Sequence, residues 1–251
     1  MNCIFCGNPV LKNSIEHIVP ESMGNKTYIL DLGSICEKCN NSFSNFESKA
    51  LSRGILALAR SMSGFATKKG KPAKGQSNQI SFEGSHNYIE NQIKIAGLDE
   101  SNIKTRNPDG SIEVDIKDFD KSEVPISKLL LKIGMESLFH SQRKVFYSTN
   151  LNDLKDYLNK KTNSIWPFIT ISIRPFDFNS IPRFQDKQNL KKINCEILYK
   201  KTDEKTFLLY FKYSFLSYII NLANRDTEWI AEYREIDKLI GTYPENLINK
   251  Q

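Results

Sequence analysis

Several sequence features are missing from this chain of 251 residues, and each absence excludes a class of protein. No apolar stretch could span a bilayer, since the most apolar one, residues 207–223, is interrupted by Tyr210, Lys212, Tyr213 and Ser214. The opening residues, MNCIFCGNPV, have no charged segment followed by an apolar run, as a signal peptide would. There is no nucleotide-binding glycine loop, internal repeat or heptad array. We therefore expect a cytoplasmic protein without a membrane partner.

Histidine is also scarce, with three residues in the whole chain: His17, His86 and His140. Imidazole chemistry at neutral pH must therefore involve one of these three side chains. His86 and His140 have no acidic or cysteine-rich setting nearby, and we interpret both as surface or core residues. The net charge of +6 is a mild basic bias, which favours nucleic-acid binding only weakly.

Cysteine is present in a pattern that carries more information. Cys3 and Cys6 form one close pair, and Cys36 and Cys39 form a second. Two such turns supply the four soft ligands of a closed tetrahedral Zn²⁺ site, which has no open position and is therefore structural. Cys195 stands alone in the alternating segment INCEILY, which predicts a buried small hydrophobe.

The segment between the two pairs places an acidic residue beside a histidine, in the sequence SIEHIVPESMG of residues 14–24. A lone histidine on an apolar strand is usually structural, but this one lies inside a zinc-framed insert. The combination resembles the HNH nuclease family, in its form with two Cys-x-x-Cys knuckles around a ββα-metal hairpin. The resemblance rests on the segments CIFCG, EHIVPESMG and CEKCNNSFSNFE, and it covers about the first fifty residues.

This resemblance implies a role for each matching residue. His17 takes the position of the general base, while Glu16 and Asn40 match the ligands of a catalytic Mg²⁺ or other divalent ion. The middle asparagine of the family, which orients the loop that carries the base, falls about where this chain has Asp31. An aspartate cannot donate as an amide does. Glu47 follows Asn40 by seven residues on the same helix face, as support for the site or as a surface charge, and we prefer the latter.

The rest of the chain predicts a mixed α+β body behind a small treble-clef-like zinc head. We expect the nuclease domain at 1–63, a loop or linker at 64–79 and an α+β domain of unassigned role at 80–251. Helical spacing predicts one helix from Cys39 to Gly64, another over 124–145 and a third over 151–159. Strand patterns occur around residues 79–84, 91–97, 111–119, 166–175, 191–201, 205–215 and 227–233.

The loop at 64–79 carries four lysines, which suggest either a solvated tether, our preferred interpretation, or a nucleic-acid-binding arm. These lysines are Lys68, Lys69, Lys71 and Lys74.

Three functions remain open at this point. A metal-dependent endonuclease acting on nucleic acid, with DNA as the expected substrate, accounts for the cysteines, the Glu-His pair and Asn40. A zinc-ribbon module that binds nucleic acid without cutting it accounts for the cysteines and the basic charge. A structural protein with a zinc head accounts for neither the Glu-His pair nor Asn40. By resemblance, HNH heads on unrelated bodies suggest restriction or phage defence, and the body would suit a protein partner or a homodimer contact.

Overall fold

The computed structural model describes residues 2–12, 14–116, 122–160 and 164–245, and it has a mixed α+β fold as the sequence predicts. Contacts divide the chain into two compact units, residues 1–48 with 123–251 and residues 49–122. The division differs from the one expected from the sequence, because the first 48 residues share a unit with the C-terminal part of the body. The expected linker at 64–79 lies inside the second unit, where Lys74–Ser77 form a strand. Its lysines and glycines suggested a tether, but the hydrogen bonds that pair this strand with its neighbour are made by backbone groups, which these residues also have.

The first unit begins with a short hairpin followed by a helix. His17 and Ile29 form an antiparallel bridge. The Ile18 N–H donates to the Tyr28 carbonyl at 3.2 Å, and the Leu30 N–H donates to the Glu16 carbonyl at 2.8 Å. A 3₁₀ turn at Glu21–Met23 and helix α1, Glu37–Ser52, complete the ββα arrangement.

The single helix predicted from Cys39 to Gly64 is divided into two helices. Helix α1 ends at Ser52, and helix α2 spans Gly54–Met62. Between them Arg53 has an extended backbone with φ −131°, and Gly54 adopts φ +68°. A positive φ costs little for glycine, and this backbone geometry interrupts the helix although the apolar spacing continues through it.

The second unit, residues 49–122, combines α2 with two antiparallel sheets. Strands β1 (Lys74–Ser77), β2 (Ile80–Gly84) and β3 (Ile93–Ala96) form one sheet, and β4 (Ile103–Arg106) pairs with β5 (Ile112–Val114) in the other. The three predicted strands near 80, 93 and 112 are confirmed, whereas β1 and β4 lie outside the predicted segments. A Cβ added at Gly75 would lie 2.4 Å from the Cβ of Ala57, so this glycine allows close packing of β1 on α2.

The body of the first unit consists of five helices and six strands among its described residues. The helices are α3 (Glu123–Ser141), α4 (Arg143–Ser148), α5 (Asn152–Asn159), α6 (Phe184–Lys192) and α7 (Ile230–Ile236). The strands are β6 (Phe168–Thr170), β7 (Asn179–Ser180), β8 (Cys195–Lys201), β9 (Phe207–Tyr213), β10 (Leu216–Asn221) and β11 (Gly241–Tyr243). They form one antiparallel sheet in the order β11-β6-β10-β9-β8-β7.

Helix α3 is the central helix of this unit, and every residue from Ile126 to Phe139 is buried. A Cβ added at its Gly134 would meet the side chains of Leu222 and Leu209 at 2.8 and 3.0 Å, so the helix packs tightly against the sheet. The strand predicted at residues 227–233 is wrong. Helix α7 lies there instead. Ile230 and Tyr233 both pack into the same core cluster, and their spacing of three residues places them on one face of a helix.

No helix in the described part of the chain combines the length and apolar character that a membrane span requires.

Candidate active site

The four paired cysteines converge as their spacing predicts. The Sγ atoms of Cys3, Cys6, Cys36 and Cys39 all lie within 4.8 Å of one another. The Sγ atoms of Cys6 and Cys36 are 3.7 Å apart, close to the roughly 3.8 Å expected between ligands of a tetrahedral Zn²⁺ with Zn–S distances of about 2.3 Å. All four are free of disulfides. The cluster can therefore hold a structural zinc ion.

A tight turn in the first knuckle and a helix start in the second bring the four thiols together. In the first knuckle the Gly7 N–H donates to the Cys3 carbonyl at 2.9 Å, and Gly7 has φ +74°, which closes a tight turn. In the second knuckle Cys36 precedes helix α1, so that Cys39 lies within the first turn. A hydrogen bond from the Cys39 thiol lowers the pKa of Cys3 to about 4, which favours the thiolate that a metal requires.

His17 lies on the hairpin strand, half-buried, with its two ring nitrogens in different surroundings. Its Nε2 is 3.8 Å from Oε2 of Glu21, four residues later in the chain. Its Nδ1 is buried and has no hydrogen-bond partner among the residues that the structure describes. Nε2 is therefore the nitrogen that the acidic neighbour approaches.

Glu16 precedes His17 and is buried, with a side chain only 9% exposed. Its Oε1 accepts a short hydrogen bond from Nζ of Lys132, a fully buried lysine in the middle of α3. The same ammonium lies 2.6 Å from Oε1 of Glu47 and 3.4 Å from Oε2 of Glu136. We call these four side chains the Lys132 cluster. It contains three carboxyl groups around one ammonium group.

The charges in this cluster are strongly coupled. Burial lowers the pKa of Lys132, but the surrounding carboxylates outweigh burial and raise that pKa above its ordinary value. Burial raises the pKa of Glu136 well above its ordinary value, and the attraction of Lys132 offsets only part of the rise. Both carboxyl oxygens of Glu136 lack a hydrogen-bond donor among the described residues. A protonated Glu136 beside a charged Lys132 fits these surroundings.

Asn40 lies in helix α1, half-buried, directly after the last zinc-knuckle cysteine. Its Nδ2 donates to Oγ of Ser14 at 3.3 Å, which ties the helix to the start of the hairpin strand. Because the amide donates through nitrogen, its Oδ1 remains the atom suited to a hard cation.

Asp31, assigned by resemblance to the middle asparagine position, contacts two residues of the body through its carboxylate. Oδ1 lies 3.1 Å from Nδ1 of His140, and Oδ2 accepts from Arg143 at 2.5 Å. Asn25 instead makes the hydrogen bonds that hold the hairpin loop. Its Nδ2 donates to the carbonyls of Val19 and Tyr28 at 2.6 and 2.9 Å, and its Oδ1 accepts from the Tyr28 N–H at 2.9 Å.

Four residues of this region were therefore not identified from the sequence: Glu21, Asn25, Lys132 and Glu136. Three of them had a signal. Lys132 and Glu136 are spaced i, i+4 inside the otherwise apolar run LLLKIGMESLF, which is typical of a buried ion pair on one helix face. Glu21 follows His17 by four residues in the motif itself.

The lysines at 68, 69, 71 and 74 are exposed and belong to the second unit, whereas the hairpin belongs to the first. Nζ of Lys74 is 2.8 Å from Oε1 of Glu83, so that one of the four positive charges is partly neutralised.

Comparison with known proteins gives one match. Residues 3–56 match the family model described as HNH endonuclease. Neither the comparison with curated proteins nor the comparison with solved structures produced a match. The matched range contains both cysteine pairs, the Glu16–His17 pair, Asn25, Asn40 and Glu47. The N-terminal part of the chain, residues 3–56, is therefore similar to the HNH endonuclease family, and its four clustered cysteines are a possible zinc site.

Proposed function

We propose that the chain is a divalent-metal-dependent endonuclease that hydrolyses phosphodiester bonds of nucleic acid, with DNA as the substrate. The observation that carries the proposal is the pairing of Glu16 and His17 on the hairpin strand. The carboxylate of Glu16 is buried among charged groups, whereas His17 is half-buried with Nε2 beside Glu21. Adjacent residues of a strand face opposite ways, so one side chain can be held rigidly while its neighbour remains accessible.

In this proposal His17 is the general base. A water molecule that attacks phosphorus must lose a proton, and a neutral imidazole accepts one near neutral pH. Nε2 takes the proton, and the carboxylate of Glu21 at 3.8 Å stabilises the imidazolium that results. The hydrogen bonds of Asn25 across the hairpin loop keep the strand that carries His17 in place.

By the family resemblance, the oxygens of Glu16 and Asn40 would be the ligands of a hard divalent ion. Lys132 contacts Oε1 of Glu16, so Oε2 of Glu16 and Oδ1 of Asn40 are the oxygens that would hold the ion. With Glu136 protonated, the carboxylates of Glu16 and Glu47 still outnumber the one ammonium group of Lys132, and this surplus of negative charge favours an added cation. Such an ion would stabilise the charge that develops on the scissile phosphate and on the leaving oxygen.

The biological setting of this activity is part of the proposal. A nuclease head combined with a body of different fold suits restriction or phage defence, in which cutting is directed by another part of the protein. The exposed lysines of the second unit would contribute phosphate contacts, and the C-terminal body would bind a protein partner or a second copy of the chain.

A second function, nucleic-acid binding without cleavage, is favoured by one observation. Lys132 already supplies a cation to Glu16, the residue that the nuclease requires as a metal ligand. In a pure binding module this ion pair would serve only to hold the hairpin to α3, and no divalent ion would be needed. The two functions therefore differ in their dependence on His17 and on divalent ions.

The test is plasmid cleavage by the purified, zinc-loaded full chain in Mg²⁺ or Mn²⁺. We expect His17→Ala to lose about 10²- to 10⁴-fold in rate while retaining DNA affinity and melting temperature. His86→Ala is the matched control, since His86 is exposed and its Nε2 is paired with Glu83 at 3.3 Å. Glu16→Gln and Asn40→Ala should be partly rescued by high metal concentration, because they lose oxygen ligands and retain the base.

Two results would contradict the proposal. Equal cleavage rates for His17→Ala and wild type would remove His17 from catalysis and point to a contaminating nuclease. DNA binding with no cleavage in any divalent ion would favour the binding module instead.

A further inference from the structure

The interior of α3 contains a charged residue that stability alone does not account for. Lys132 has a side-chain exposure of 0% and lies between buried apolar residues of the helix. Burying an ammonium group is costly because it loses its hydration, and well-packed apolar residues in place of a buried ion pair are often neutral or stabilising. A lysine at this position is therefore better explained by what it holds than by the stability it adds.

The contacts of Lys132 connect three elements of the first unit. Glu16 comes from the hairpin strand, Glu47 comes from helix α1, and the ammonium comes from α3. The strand and α1 are the two elements that also carry His17 and Asn40. An ammonium between the two carboxylates thus sets the separation of the strand and the helix at the place where the ligands of a divalent ion are proposed.

Glu136 has a different part in the cluster. It lies one turn after Lys132 on the same helix, at 3.4 Å, and neither of its oxygens accepts a hydrogen bond from a described residue. Because it belongs to α3 itself, it does not tie α3 to the head. The tie between α3 and the head at this point is made by the hydrogen bond from Lys132 to Glu16 and by the ion pair of Lys132 with Glu47, whose Oε1 also accepts no hydrogen bond of good geometry from a described residue.

We propose that Lys132 is a positioning residue for the divalent-ion site of the head, holding the carboxylates of Glu16 and Glu47 in place from a helix outside residues 3–56. This inference rests on the proposed function. A carboxylate ligand that is fixed by a hydrogen-bonding partner needs no reordering when the ion arrives, and loss of such a partner typically weakens metal affinity by about 10- to 100-fold. Ion binding by the head thereby depends on the packing of α3.

Lys132 could instead have the opposite role, and the two roles predict opposite changes in ion affinity when Lys132 is removed. If Lys132 only occupied the position of the ion, its removal would free Glu16 and eliminate a repulsive charge, and the ion would bind more tightly. If Lys132 positions the ligands, its removal leaves carboxyl groups that are buried without a cation, and these either become protonated or separate. Either change makes them poorer ligands, and the ion binds more weakly.

The experiment measures Mn²⁺ binding directly, by the loss of the free-ion EPR signal during titration of the zinc-loaded full chain. We expect Lys132→Met to raise the Kd for Mn²⁺ by about 10- to 100-fold. Lys128→Met is the matched control, because Lys128 lies one turn earlier on α3 and donates to the Lys160 carbonyl at 2.7 Å rather than to a carboxylate. The control should leave the Kd within about twofold of wild type.

If Lys132→Met does not fold, the same comparison is made in a background with one buried carboxyl group fewer. The double variant Lys132→Met/Glu136→Gln is then compared with Glu136→Gln, and the expected rise in Kd is the same. An unchanged or lower Kd in either comparison overturns the positioning role.

The failure of this inference can be distinguished from failure of the proposed function. Wild-type protein that binds Mn²⁺ and cuts DNA, with an unchanged Kd in Lys132→Met, overturns the role of Lys132 alone. Wild-type protein that neither binds Mn²⁺ nor cuts DNA overturns both.

Discussion

The thiol cluster and the Lys132 cluster lie in the same unit but are built in opposite ways. The thiol cluster joins four identical soft ligands from residues 3–39, and a single ion can satisfy all of them. The Lys132 cluster joins groups of opposite charge that are 116 residues apart in the chain, and its carboxyl groups outnumber its ammonium. The first cluster is complete once zinc binds, whereas the second retains a surplus of negative charge. A closed site stabilises the head, and an unbalanced one suits a site that must accept a further cation.

The largest effect should come from the thiol cluster. In Cys39→Ser we expect the zinc content to fall from about one per chain and the melting temperature to fall by about 10 °C or more. A closed zinc site supplies much of the folding free energy of a small segment, and each kcal/mol shifts Tm by about 2–4 °C in a chain of this size. Zinc analysis and calorimetry are the measurements.

Cys195→Ser is the matched control for that prediction, since it makes the same substitution at a buried cysteine on β8 that belongs to no metal cluster. It should lower Tm by a smaller amount and leave the zinc content unchanged. Equal losses in the two variants would mean that the thiols at residues 3–39 act as buried hydrophobes rather than as ligands.

Asn25 and Asp31 provide a second contrast, between a buried amide and a partly exposed ion pair. Asn25→Ala removes hydrogen bonds to buried backbone groups, and we expect a loss of about 2–5 kcal/mol in the free energy of unfolding. Asp31→Ala removes contacts to His140 and Arg143 in which the carboxylate is 38% exposed, so we expect about 1 kcal/mol or less. Urea denaturation measures both. A larger effect at Asp31 would assign the loop-orienting role to that residue.

Features that depend on residues close together in the chain could be predicted from the sequence. Features that depend on contacts between distant residues could not. The zinc ligands, the Glu16–His17 pair and the helix after Cys36 lie within one short segment, where spacing restricts geometry. The partners of Glu16 could not be predicted, because nothing in residues 1–50 indicates which later residue fills the space beside the hairpin. Lys132 was visible as a charge in an apolar helix, but its partner on the head was not.

The units of the chain were difficult to predict for a related reason. Lysine and glycine at 64–79 are typical of a loop, yet Gly75 allows β1 to approach Ala57 closely and the segment pairs with β2. Conversely, the apolar spacing from Phe43 through Leu58 continues across Arg53, where the helix breaks. Composition describes the exposure of a segment better than it describes its backbone.

Glu136 provides the third prediction, on the pH dependence of stability. The folded-state pKa of Glu136 lies above its ordinary value of 4.5, so folding takes up a proton there. The stabilisation is fully present below that ordinary value and is lost as pH rises through the folded pKa, with a slope of up to about 1.4 kcal/mol per pH unit. Glu136→Gln should therefore gain stability relative to wild type between pH 5 and pH 8. Urea denaturation across this range measures the difference.

The control for Glu136 is Glu204→Gln, which neutralises an exposed glutamate of the same unit. Its stability difference from wild type should remain constant over the same pH range. Parallel profiles for Glu136→Gln and wild type would show that Glu136 is ionised in the folded protein, and the cluster would then hold three carboxylates against one ammonium group.

The smallest expected effect concerns the exposed lysines of the second unit, which contrast with the buried Lys132. An exposed lysine acts on DNA through phosphate contacts, and each contact steepens the dependence of log Kd on log salt by about 0.9. Replacing Lys68, Lys69, Lys71 and Lys74 together with alanine should flatten that slope by about 2–3. The fourth contact is discounted because Lys74 is paired with Glu83 at 2.8 Å. The measurement is Kd for a labelled duplex over a salt series.

The matched control replaces four exposed lysines of the first unit, Lys187, Lys191, Lys192 and Lys205. Equal flattening in both variants would assign the effect to net charge, and an unchanged slope in the first would make the run at 68–74 a solvated surface without a role in binding.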